Sequence, residues 1–143
     1  PYMIKNLTAA FFVLLLTACS ARQANDSDKE RIVNLCEQFM QEFRDSKLIS
    51  AMEILRNNSI ISKQALDNLH QSIIEQEHVF RSYGKMLNYD FVEEKQVAHG
   101  LARRYYILRF ENYYSIFQFT IYKTTNGWRF THFKYDDSLE DLF

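Results

Sequence analysis

The sequence predicts an α+β domain in which three N-terminal helices pack on a curved four-stranded antiparallel sheet. Three observations carry this expectation. Apolar residues recur every three or four positions from Ile32 to Phe80, then every second position from Leu87, with Gly84 at the change of period. The second half consists of aromatic and β-branched runs, "ARRYYILRFE", "YYSIFQFTIYK" and "WRFTHFKY", which suit strands. His99-Gly100, Glu111-Asn112 and Asn126-Gly127 supply three reversals for four strands. Helices first and a strand meander last is the order of a fold with its helices on one sheet face.

Ahead of the domain lies "KNLTAAFFVLLLTACSARQ", residues 5–23. Leu7 to Leu16 is uncharged, but ten residues at about 1.5 Å each cover about 15 Å, half a bilayer core. A stable span is therefore not expected. Lys5 before the run and the small residues Thr17 and Ala18 after it have the layout of a secretory signal peptide. Leu16-Thr17-Ala18-Cys19 resembles the lipobox of bacterial lipoproteins. The resemblance implies removal of residues 1–18, a diacylglyceryl group on Cys19 and acylation of the new amino group. It implies a cell-envelope protein facing the periplasm, and Ser20, being uncharged, implies the outer membrane. At about 0.8 kcal/mol per buried methylene, two or three chains make a stable anchor. Residues 19–27 are then a lipidated cysteine and linker, with a root-mean-square reach of about 15 Å.

The domain is expected over residues 28–143. Ser27 with Glu30 fits a capping box, and Ile32, Leu35, Cys36, Phe39, Met40 and Phe43 form one apolar stripe to about Arg44. Leu48, Ile49, Met52 and Leu55 make a short second helix ended by Asn57-Asn58. Ser62 caps a third, with Leu66, Leu69, Ile73 and Phe80 on one face until Gly84. Beyond it Leu87, Tyr89 and Phe91 alternate with Asn88 and Asp90. Asn126-Gly127 is the signal of a type I′ hairpin, with φ above zero at both positions.

The Gly84-initiated strand, the tyrosine-rich second strand and above all "FQFTIYKTTNGWRFTHFKYDD" resemble the nuclear transport factor two-like superfamily, over roughly residues 28 to 137. The resemblance implies a cone-shaped fold that often encloses a pocket and serves enzymes, binders and subunit interfaces alike, so it does not decide activity.

Residues 1–18 hold one lysine and no acid, leaving sixteen basic and eighteen acidic residues and a net charge of −2. That balance offers nothing for a general nucleic-acid partner. With Cys19 lipidated, Cys36 has no disulfide partner, and its place in the stripe makes it a core side chain. His70 and His78 are eight apart, no carboxylate or cysteine completes a metal set, and no cofactor motif is present.

Asp90, between Tyr89 and Phe91, is a candidate general base or, by alternation, a solvated strand carboxylate. His132, alternating with Trp128 and Phe130, is a candidate pocket histidine or else a packing or dimer contact, and Trp128 is a binding candidate beside it. Tyr105 and Tyr106 are candidate ligand contacts, of which one must point outward. Strand three presents Phe117, Phe119 and Ile121 on one face and Ile116 and Tyr122 on the other. Strand four sets Trp128 and Phe130 against Phe133 and Tyr135. Helices cover one face, so Ile116 and Tyr122 are expected at a homodimer or envelope-protein interface, or under the C-terminal "DDSLEDLF". The reading is a lipid-anchored periplasmic module acting by association or by binding a small hydrophobic ligand. The alternative is an isomerase-like or cyclase-like enzyme using a pocket Asp or His. A filled aromatic core favours the first and a deep cavity with a buried Asp or His the second.

Overall fold

The computed structural model describes residues 27–143, so the signal-peptide and Cys19 expectations lie outside the described residues. A helix through residues 27–44 (α1) is followed by α2 (Leu48–Asn58), α3 (Lys63–Glu75) and α4 (Glu77–Ser82). Strands β1 (Met86–Ala98), β2 (Leu101–Phe110), β3 (Tyr114–Thr124) and β4 (Gly127–Asp136) come next, then a 3-10 turn, Glu140–Leu142. The strands form one antiparallel sheet in the order β1-β2-β3-β4, a simple meander. The change of hydrophobic period at Gly84 is thus the boundary between helices and sheet. Among the described residues, no helix is long and apolar enough to cross a membrane.

Ser62 caps α3 as expected, its hydroxyl accepting the Ala65 N–H at 3.2 Å. The described part of α1 begins at residue 27, so the capping box proposed for its start lies at the edge of the described residues. One helix expectation is corrected. The third helix breaks at Gln76, whose N–H still bonds to Ser72 O while its own carbonyl accepts from Val79 and Phe80 at the start of α4. The break carries Phe80 into the core, where its ring stacks on Phe110 at 5.9 Å.

The α1 stripe of Ile32, Cys36, Phe39, Met40 and Phe43 is buried against the inner sheet face. Ala102, Tyr106 and Leu108 of β2 and Phe117, Phe119 and Ile121 of β3 meet it there. Register shifts decide what joins them. In β4, pairing passes from Ile121↔Phe130 to Thr120↔His132, leaving Thr131 as an extra residue. This bulge reverses the alternation, so Trp128 and Phe130 before it and Phe133 and Tyr135 after it all pack inward. The expectation that β4 has two apolar faces is therefore wrong. The same effect in β1 leaves Leu87, Val92 and Val97 unpaired at three shifts, and Leu87 leaves the side of Tyr89 for solvent.

The β3–β4 reversal lies where Asn-Gly put it but is not type I′. Gly127 has φ +99°, whereas Asn126 stays at negative φ. The Thr124 hydroxyl closes the turn instead, accepting from Asn126 N–H at 3.1 Å and donating to Gly127 O at 2.7 Å.

Candidate functional site

Rings fill the space between α1 and the sheet. Phe39 lies 5.2 Å from Phe119 and 4.9 Å from Phe133, and Phe43 lies 4.9 Å from Phe117. Neither candidate proton-transfer residue reaches this interior. Asp90 is on the outer face with its carboxylate 2.9 Å from Arg109 Nε, both side chains about half exposed. His132 is exposed opposite Thr120, because the Thr131 bulge turns it away from Trp128 and Phe130, which corrects the pocket expectation. Trp128 is buried, with the Lys29 ammonium 5.6 Å from its ring. Tyr105 and Tyr106 point to opposite faces, as adjacent strand residues must, and both are buried.

On the inner face Tyr106 belongs to a polar network that the sequence reading missed. Its hydroxyl donates to Glu37 Oε1 at 2.7 Å and accepts from Arg104 Nε and Nη2 at 3.2 and 3.1 Å. Arg104 Nη1 donates to Glu94 Oε2 at 2.6 Å, and Lys29 Nζ reaches Glu94 Oε1 at 2.5 Å. Phe91 lies under the guanidinium, 4.4 Å from ring centre to Cζ. Burial pushes the Tyr106 phenol well above its usual value, with Cys36 and Glu37 adding to the rise. Burial would also raise Glu94, but the hydrogen bonds from Lys29 and Arg104 outweigh it and hold its carboxyl below the usual range. An acid–base catalyst works best with a pKa near the working pH. Glu94 and Tyr106 are driven away from neutrality in opposite directions, which suits a tie between α1 and the sheet. The signal was legible: period two places Arg104 with Ala102, Tyr106 and Leu108 on the core face, where a charge demands a partner.

A second tie joins α1 to β4. Asp28 Oδ2 accepts the Trp128 N–H at 2.7 Å, while Arg31 donates to Trp128 O at 3.1 Å and to Asn58 Oδ1 at 3.0 Å. A Cβ on Gly127 would stand 2.7 Å from Asp28 Oδ2, so the approach requires glycine.

An open cleft of about 570 Å³ lies where α1 ends, lined by residues of the α1–α2 turn, α3, α4 and the start of β1. Phe43, Leu48, Ile73, Phe80 and Met86 make its apolar side. Arg44 and Arg81 on its rim are held by their neighbours Asp45, at 3.0 Å, and Glu77, at 2.7 Å. The volume falls among those of small-molecule sites, and the apolar floor is ringed by Arg44, Asp45, Ser46, Glu77, Arg81 and Lys85. None of the sequence candidates lines it, because its residues come from four separated segments whose apolar positions read only as core.

The outer sheet face carries the interface candidates. Tyr122 is exposed, but Ile116 is buried together with Tyr105 and Gln118. The C-terminal segment folds back onto this face. Asp141 is paired with Lys134 of β4, its carbonyl accepts from Lys95 of β1 at 2.9 Å, and the Lys95 ammonium lies 5.6 Å from the Tyr105 ring. Tyr113 and Tyr114 hold the root of the segment, donating to Asp137 at 3.1 and 3.2 Å. Ile116 thus has its cover within the chain, and pairing of two sheets over Ile116 and Tyr122 loses its steric motive. Among the described residues, no group of three His, Cys, Asp or Glu side chains could hold a metal ion. Compared with family models, curated proteins and solved structures, the chain matches none.

Proposed function

We propose that this chain is the folded domain of a lipid-anchored envelope protein of the nuclear transport factor two-like kind, which binds a small apolar ligand in the cleft and performs no catalysis. One observation carries the reading: the inner sheet face is closed by rings and paired charges, while an apolar cleft of about 570 Å³ stays open at one end. Helices preceding a four-strand meander, with β1 bent by three register shifts, support the fold assignment. The isomerase or cyclase alternative needs an unpaired Asp or His in its cavity. In the cleft lining, Asp45 and Glu77 are each engaged by an arginine.

Binding of N-phenyl-1-naphthylamine, an apolar dye that fluoresces out of water, to residues 20–143 tests the proposal. We expect saturable fluorescence, weakened about tenfold by Ile74→Glu, since burying an isoleucine is worth about 1.5–3 kcal/mol. Ile74 lines the cleft and is 47% exposed, so the change spares the core. Ile60→Glu, at an exposed site outside the lining, should leave binding unchanged. No saturable signal, or equal loss in both variants, defeats the reading.

A further inference from the structure

The β1–β2 and β3–β4 turns and the first residues of α1 share one end of the molecule. Asp28 bonds to Trp128 just after the β3–β4 turn, and Gly100 O in the β1–β2 turn accepts the Lys123 N–H at 2.8 Å. The cleft is at the other end, lined by Phe43 to Ser46 where α1 closes and by Gly84 to Met86 where β1 begins. Seventeen helical steps from residue 27 to residue 44, at about 1.5 Å each, separate the two ends by about 25 Å.

The charges differ along that axis. At the turn end Asp28 is taken up by Arg31 and Glu94 by Lys29 and Arg104, while Glu30 is an exposed acid. Against these, Lys123, Arg129 and Arg103 make no ion pair among the described residues. Arg129 donates one guanidinium N–H to Trp128 O at 2.9 Å and helps to hold the Asp28 carboxyl down, and Arg103 acts on Asp141, so Lys123 is the least engaged of the three. Val97 and Tyr122 stand exposed beside them at 52% and 43%. Long cations with an aromatic and an apolar side chain at their edge match the headgroup zone of an anionic bilayer.

We infer that the turn end, with Lys123 and Arg129 at its centre, docks on anionic phospholipid headgroups, and that the cleft opens away from the membrane. The inference rests on the reading of Cys19 as the lipid anchor. The linker from Cys19 enters the domain at this end, and its reach of about 15 Å is shorter than the helix it would have to pass to bring the cleft down. The cleft ligand then arrives from the aqueous side.

The test is amide line broadening in the mature chain, residues 19–143 as processed and acylated in a bacterial host, held in phosphatidylglycerol nanodiscs that carry a gadolinium headgroup. Gly100 and Asn126 should broaden several-fold more than Gly84 and Asn112. Lys123→Glu with Arg129→Glu should level the difference, as should zwitterionic lipid. Equal broadening at both ends of the wild-type chain, stronger broadening at Gly84, or a preference that survives either change overturns the docking surface. An unacylated Cys19, read from the mass alone, instead removes the anchoring on which the inference stands.

Discussion

Arg104 sits at a core-facing position of β2, only 8% exposed, and its guanidinium commits four other residues. Glu94, Glu37, Tyr106 and Phe91 surround it, so removing the cation leaves carboxylates without their partner. Arg104→Ala should destabilise the domain by about 2 kcal/mol in urea unfolding, below the usual figure for a broken buried pair because Glu37 and Glu94 keep some water. The sign of the pH dependence follows from Glu94. Its folded pKa is below the ordinary carboxyl value of 4.5, so its contribution is complete above about pH 4.5 and is lost as pH falls through the folded value. Unfolding measured from pH 6 to pH 3 should show stability falling on the acid side, with a shallower fall in Glu94→Gln. Cys36, fully buried beside this network, has its thiol pushed up chiefly by burial. Cys36→Ala should cost on the order of 1 kcal/mol, and a thiol reagent should label native Cys36 no faster than global unfolding. Rapid labelling would show the α1 register to be wrong.

Elements were legible where one period ran without interruption. The α1 stripe, the Ser62 cap, the Gly84 boundary and the three reversals all follow from side-chain spacing and turn chemistry. The reading failed where one residue changed the phase. Thr131 has no sequence mark of a bulge, yet it reverses the faces of β4, removing His132 from the interior and bringing Phe133 in. Gln76 likewise splits a helix whose apolar spacing runs on to Phe80. The C-terminal segment was legible only as an alternative, since its cover depends on Asp141 reaching both Lys95 and Lys134 across the sheet. It leads to a prediction at this scale. The wild-type domain should be monomeric by light scattering at high micromolar concentration, while deletion of residues 138–143 should uncover Tyr105 and Ile116 and produce self-association. A truncated chain that stays folded and monomeric would show that the segment covers nothing adhesive.

At the scale of the molecule, the two ties at Arg104 and Asp28 fix α1 to the sheet near the turn end, and the ring cluster fills the middle. The helices diverge from β1 only at the far end, where the Gln76 break and the turn at residues 45–47 leave the cleft. This site was not legible in the sequence because no residue type marks it: Phe43, Ile73 and Phe80 look the same whether they meet a neighbour or line a cavity. The central claim is that this cleft is where the protein binds. Its most direct test is an amide-shift titration of residues 20–143 with decanol, a straight chain small enough for the space. The account predicts saturable shifts centred on Ser46, Ile74, Gly84 and Lys85, with the amides of Trp128 and His132 unmoved. Shifts that fail to saturate, or that centre on the outer face around Tyr105 and Tyr122, would contradict it.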